Sequence, residues 1–94
     1  DQLAPLYGVY ASRVILPDGS AHEGVTDIGV KPTVASDAVP AAETYIIDYE
    51  GDLYGREVRL ELYKFLRPEK KFSGVDELKR VIEGNIQETR EYFA

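Results

Sequence analysis

The chain of 94 residues contains no cysteine and no methionine, and only one histidine, His22. Without thiols there is no disulfide, no thiolate nucleophile and no Cys/His metal set, so any metal would have to be oxygen-ligated. Long apolar runs are missing too. None approaches the ~18 residues that span a bilayer, and the N-terminus lacks a signal-peptide pattern, so the expected setting is cytoplasmic, with no membrane partner. Positive charge is in deficit: 11 Lys and Arg stand against 17 Asp and Glu, for a net charge of −6. That argues against nucleic acid as a partner, because phosphate-backbone affinity rests on cationic side chains. A small phosphorylated ligand screened by a divalent cation stays compatible. A chain that starts at Asp1 and has no methionine reads as a trimmed piece of something longer, and its length allows one domain, 1–94.

What is present fits a folded domain, with 44% apolar and 30% charged residues. Gly8 to Leu16 is β-branched and aromatic enough for a strand, and Pro17-Asp18-Gly19-Ser20 is a turn leading to a return limb over Ala21 to Ile28. Gly29 then opens an irregular stretch, and Val30 to Pro40, with two prolines and small residues, reads as a mobile loop able to fold over a ligand. Glu43 to Tyr49 is the next strand; alternation sets Glu43, Tyr45, Ile47 and Tyr49 against Thr44, Ile46 and Asp48. Arg56 to Leu66 is expected to be the longest strand, with Val58, Leu60 and Leu62 on its buried face. Ser73 and Asp76 have capping-box spacing, and a helix is expected from about Gly74 to Phe93. Its apolar stripe is Val75, Leu78, Val81, Ile82 and Ile86, and Gly84 within it implies close packing. Strands in series followed by one helix indicate an antiparallel sheet or small barrel, mainly β, covered on one side by that helix.

Three chemical features lie close in sequence: a carboxylate at Glu43, an acidic turn from Asp48 to Asp52, and the basic, proline-anchored loop Leu66-Arg67-Pro68-Glu69-Lys70-Lys71-Phe72. That layout suits a substrate site. By residue type alone each has a plainer reading. Glu43 could be an exposed strand-start glutamate, Asp48 and Asp52 backbone-capping groups, Tyr54 a core plug, and the basic run a solvated loop. Phe72 beside cations could equally take a flat heterocycle. His22 is expected to be exposed and silent.

Several blocks, in this order and spacing, resemble the riboflavin kinase domain that forms the C-terminal part of bacterial bifunctional riboflavin kinase/FAD synthetases. They are Tyr7-Gly8-Val9-Tyr10-Ala11, Asp27-Ile28-Gly29-Val30-Lys31-Pro32-Thr33, Glu43 to Asp48, Gly51-Asp52-Leu53-Tyr54-Gly55, and Leu66 to Phe72 with the helix after it. The resemblance implies a six-stranded antiparallel Greek-key barrel with a C-terminal helix, and transfer of the ATP γ-phosphate to the 5′-hydroxyl of riboflavin, giving FMN. It implies that Glu43 is the general base, that Ile46, Asp48 and Tyr54 lie at the nucleotide, and that Arg67, Lys70 and Phe72 lie at the flavin in a loop that closes over it. Arg90 is a further flavin-side candidate. The family also carries an upstream Gly-x-Pro-Thr-Ala-Asn segment that helps hold Mg-ATP, and this chain begins after its expected place. Magnesium ligands and the first strand are therefore expected upstream of Asp1, and Thr33 is not assigned to the metal. An adenylyltransferase domain is the expected N-terminal partner. The rival reading is a non-catalytic barrel module that binds a flavin or nucleotide, or packs on another domain.

Overall fold

The computed structural model describes residues 6–31, 39–51 and 55–94. Four strands, β1 (Gly8–Ile15), β2 (Ala21–Lys31), β3 (Val39–Ile46) and β4 (Arg59–Arg67), precede one helix, α1 (Val75–Phe93). The strands form a single antiparallel sheet in the order β3-β2-β1-β4. The mainly β, antiparallel architecture with a C-terminal helix is as expected; among the described residues it has four strands where the resemblance implies six.

Local chemistry forms the β1–β2 hairpin. Pro17 presets φ, Gly19 takes the left-handed position at φ 89°, and its N–H donates to the Leu16 carbonyl at 2.9 Å. The Asp18 carboxylate accepts from the Ser20 N–H and hydroxyl at 2.8 and 2.7 Å, which locks the turn. His22, expected to be exposed, is half-buried: its Nε2 lies 3.0 Å from Ser20 Oγ and its ring meets Tyr49 edge-on at 5.0 Å.

β2 does not stop at Ile28. It runs to Lys31 and is the longest strand, because Gly29, Val30 and Lys31 find ladder partners in Ala41, Pro40 and Val39. Pro40 is tolerated because β3 is a sheet edge, where a missing N–H leaves no rung broken. At Gly29 the end of the Glu69 side chain approaches the strand and occupies the space a Cβ would take. The expected loop over 30–40 thus gives up both ends to strands, and 32–38 lies outside the described residues. β3 in turn ends at Ile46 and not at Tyr49, since Asp48 adopts φ 57° and breaks the extended chain.

β4 departs most from expectation. It starts at Arg59, leaving Val58 outside and 44% exposed, and its register against β1 slips twice, passing over Tyr63 and Leu66. Such slips insert a residue and re-aim the chain. Here they bring Leu66 onto the core of Val9, Val25 and Ile47, and set Arg67 opposite Val9. On the other face of the sheet the buried Thr26 hydroxyl donates to Ser12 Oγ at 2.8 Å and lies 2.8 Å from Thr44 Oγ1. With its one hydrogen committed to Ser12, Thr26 accepts from Thr44, so the chain of hydroxyls ties three adjacent strands.

The helix begins one residue later than the capping-box spacing implies. Gly74 is its N-cap and Glu77, not Asp76, reaches back: its Oε1 accepts from the Ser73 N–H at 2.8 Å and the Ser73 hydroxyl at 3.1 Å. Extended backbone at Gly74 moves Ser73 outside the helix, beyond the reach of the shorter aspartate. Val75 is 64% exposed, while Leu78, Val81, Ile82 and Ile86 are half-buried. The most buried helical positions are polar, Asn85 and Thr89. At the far end the Arg13 guanidinium lies 4.5 Å from the Phe93 ring centroid and 5.4 Å from that of Tyr63, anchoring the last turn to the sheet.

Two predictions follow from this packing. The close packing expected at Gly84 is absent, since nothing lies within 4 Å of a Cβ there; Gly84→Ala should therefore raise stability by about 1 kcal/mol through helix propensity alone, and a lowered Tm would contradict it. The Ser73 N–H, then Lys70 and the Ser73 hydroxyl, hold the Glu77 carboxyl down at about 2. A depressed folded-state pKa stabilises above the unfolded value and is lost as pH falls through the folded one. The Tm difference between wild type and Glu77→Gln should be full at pH 6 and vanish near pH 2; a pH-independent difference would remove the linkage.

Candidate functional site

Helix α1 lies over β1 and β2, and between it and the sheet is a cavity of about 350 Å³. Strand alternation builds one wall. Val9, Val25, Asp27, Glu43 and Tyr45 occupy alternate positions on one face of β1, β2 and β3, with Asp27 and Glu43 directly opposite each other in the β2–β3 ladder. Glu43 is exposed and Asp27 half-buried, so two carboxylates line this wall from its open edge inward.

The opposing wall is cationic and aromatic. Arg67, the last residue of β4, donates from Nε to Asn85 Oδ1 at 3.0 Å and from Nη1 to the Pro68 carbonyl at 3.1 Å. Its guanidinium lies 5.6 Å from the centroid of the Phe72 ring, and Lys70 Nζ lies 5.8 Å from the same centroid. Lys70 is also paired with Glu77 at 3.1 Å, which fastens the basic loop to the first turn of α1. Arg67, Phe72, Leu78, Ile82 and Asn85 line the cavity on this side. An oxygen-rich chain placed between the walls would meet carboxylate acceptors at one end, and a planar ring would meet Phe72 and a guanidinium at the other.

Of the residues singled out in the sequence, Glu43, Arg67 and Phe72 thus share one cavity. Lys70 does not line it, and reaches it only through its approach to the Phe72 ring. Ile46 points to the opposite face of the sheet, where it lines a second cavity of about 350 Å³ with Val14, Thr44, Arg56, Val58 and Leu60. Residues of both edge strands, β3 and β4, line this second cavity, so the sheet is strongly curled. Asp48 and Arg90, expected beside different ligands, are bound to each other, with Arg90 Nη1 and Nη2 donating to Asp48 Oδ2 and Oδ1 at 2.9 and 3.1 Å. These bonds hold the Asp48 carboxyl below its ordinary range and raise Arg90. Tyr54 lies outside the described residues.

Asp27 and Asn85 were not singled out. Asn85 could have been noticed as a polar residue at helical spacing within the stripe of Ile82 and Ile86, and Asp27 becomes visible only through the β2–β3 register. Among the described residues no group of three or more His, Cys, Asp or Glu side chains could hold a metal ion. No helix among the described residues is long and apolar enough to cross a membrane.

Comparison with known proteins places the chain in a family. The Flavokinase (riboflavin kinase) family matches residues 1–93. The bifunctional riboflavin kinase/FMN adenylyltransferase of Listeria monocytogenes is 39% identical over the whole chain, which corresponds to 30% of that protein. The enzyme of the same description from Pseudomonas fluorescens is 38% identical over 92% of the chain and 27% of its own length. The chain thus spans under a third of the curated relatives it matches. A solved structure described as a macrolide-efflux protein from Streptococcus pneumoniae superposes with a TM-score of 0.83 and 25% identity, covering 94% of this chain and 28% of that one. The family match across residues 1–93 and these relatives agree with one another, and the chain belongs to the riboflavin kinase family.

Proposed function

We propose that this chain is the riboflavin kinase domain of a cytoplasmic bifunctional enzyme whose N-terminal domain is an adenylyltransferase, and that it converts riboflavin to FMN with ATP. The observation that supports this reading best is the shared cavity of Glu43, Arg67 and Phe72. The relatives supply the second domain by analogy, since each is bifunctional and between three and four times as long as the stretch it shares with this chain.

In this reading the isoalloxazine ring lies against Phe72 beside Arg67, and the ribityl chain runs across the cavity towards Glu43. The Glu43 carboxylate accepts the proton of the 5′-hydroxyl as its oxygen bonds to the γ-phosphorus and the bond to the ADP oxygen breaks; FMN and ADP result, with the proton on Glu43. Phosphoryl transfer has a loose transition state, so positioning and charge stabilisation supply most of the acceleration, and one carboxylate at the acceptor suffices. Ile46 serves the nucleotide from the far side of β3, and Tyr54, outside the described residues, is proposed as its further contact. The Asp48–Arg90 pair holds the turn after β3 against α1. Magnesium, bound with ATP, would neutralise phosphate charge.

In the full chain that carries this domain, Glu43→Gln should lower kcat by on the order of 10²- to 10⁴-fold and leave riboflavin affinity close to wild type. Unchanged turnover would remove Glu43 as the base, whereas flavin binding without any turnover in the wild-type full chain would favour a non-catalytic binding module. Phe72→Ala should weaken FMN binding by on the order of tenfold in a flavin-fluorescence titration; equal affinity would leave Phe72 only as an anchor for the helix.

A further inference from the structure

We infer that Asn85 is a positioning residue for the flavin, holding the Arg67 guanidinium beside Phe72 so that it meets the acceptor edge of the stacked ring; this rests on the riboflavin kinase reading. Asn85 is 5% exposed and lines the cavity, yet it sits on the helix face that packs on the sheet, where an apolar residue would cost nothing. Its amide orientation is dictated by its partners. Arg67 Nε can only donate and the Glu88 carboxylate can only accept, so Oδ1 faces Arg67 at 3.0 Å and Nδ2 faces Glu88 at 3.1 Å.

The consequence falls on Arg67. A guanidinium has five N–H donors, and the bonds to Asn85 and to the Pro68 carbonyl take one from Nε and one from Nη1. Those two bonds fix the plane and leave the Nη2 end for a ligand. A neutral amide does this without cancelling the positive charge, as a carboxylate at the same place would in part. With the guanidinium 5.6 Å from the Phe72 centroid, a planar heterocycle on that ring would turn its carbonyl edge towards the remaining donors. The target is the ring and not the phosphate, so riboflavin and FMN should depend on Asn85 alike.

The test is a set of flavin-fluorescence titrations on the full chain. Asn85→Ala, chosen because alanine favours the helix, should weaken riboflavin and FMN by a similar factor, on the order of tenfold, and raise KM for riboflavin by more than it lowers kcat. Asn85→Asp, which keeps an oxygen for Arg67 Nε, should recover most of the loss. In an Arg67→Ala background the Asn85→Ala effect should disappear, because the residue acts through Arg67. If Asn85→Ala melts well below wild type, Asn85→Leu refills the volume and takes its place. Wild-type affinity in the variant, a loss confined to FMN, or an equal loss in both backgrounds would overturn the inference. A wild-type protein that binds neither flavin would instead overturn the kinase reading.

Discussion

The site depends on how β4 lies against β1. If the register that pairs Ser12 with Leu62 continued unbroken, Arg67 would fall opposite Tyr7, beyond the end of β1. The two slips bring it back opposite Val9, inside the cavity, and leave the inserted Leu66 to fill the core beneath. A bulged strand gives up two rungs, and burial of Leu66 against Val9, Val25 and Ile47 offsets that loss. Removing either slip would turn part of β4 over and carry the cationic wall away from the carboxylate wall.

Around that constraint the molecule separates charge. Asp27 and Glu43 face each other across β2 and β3. Arg67, Lys70 and Phe72 stand across the cavity, held by polar contacts to α1: Asn85 for Arg67 and Glu77 for Lys70. The helix is thus less a hydrophobic lid than a frame. Its most buried side chains are Asn85 and Thr89, and its ends are tied by Glu77 to Ser73 and by Phe93 to Arg13. The bidentate Asp48–Arg90 pair adds a tie to the turn where Asp48 takes up its left-handed backbone.

Features set by neighbours in the chain were legible in the sequence. The Pro17-Asp18-Gly19-Ser20 turn, β1 and α1 follow from residues in contact with each other, and alternation alone separated Glu43 from Ile46. Features set by distant partners were not. β2 continues past Gly29 because β3 pairs with it, and no local signal announces that. The slips in β4 break the period of two that suggested a clean buried face. Asn85 is buried for the sake of Arg67, 18 residues earlier, and an apolar-stripe reading passes over it. The Glu77 cap escaped because the N-cap is Gly74.

On the proposed reading, Glu43 and Phe72 address two ends of one ligand. The most direct measurement is a crystal structure of the full chain with riboflavin and Mg-ADP. The isoalloxazine ring is expected on Phe72 beside Arg67, with the ribityl 5′-oxygen about 2.6–3.2 Å from a Glu43 carboxylate oxygen. A flavin seated in the second cavity beside Ile46 and Leu60, with Glu43 turned to solvent, would contradict it.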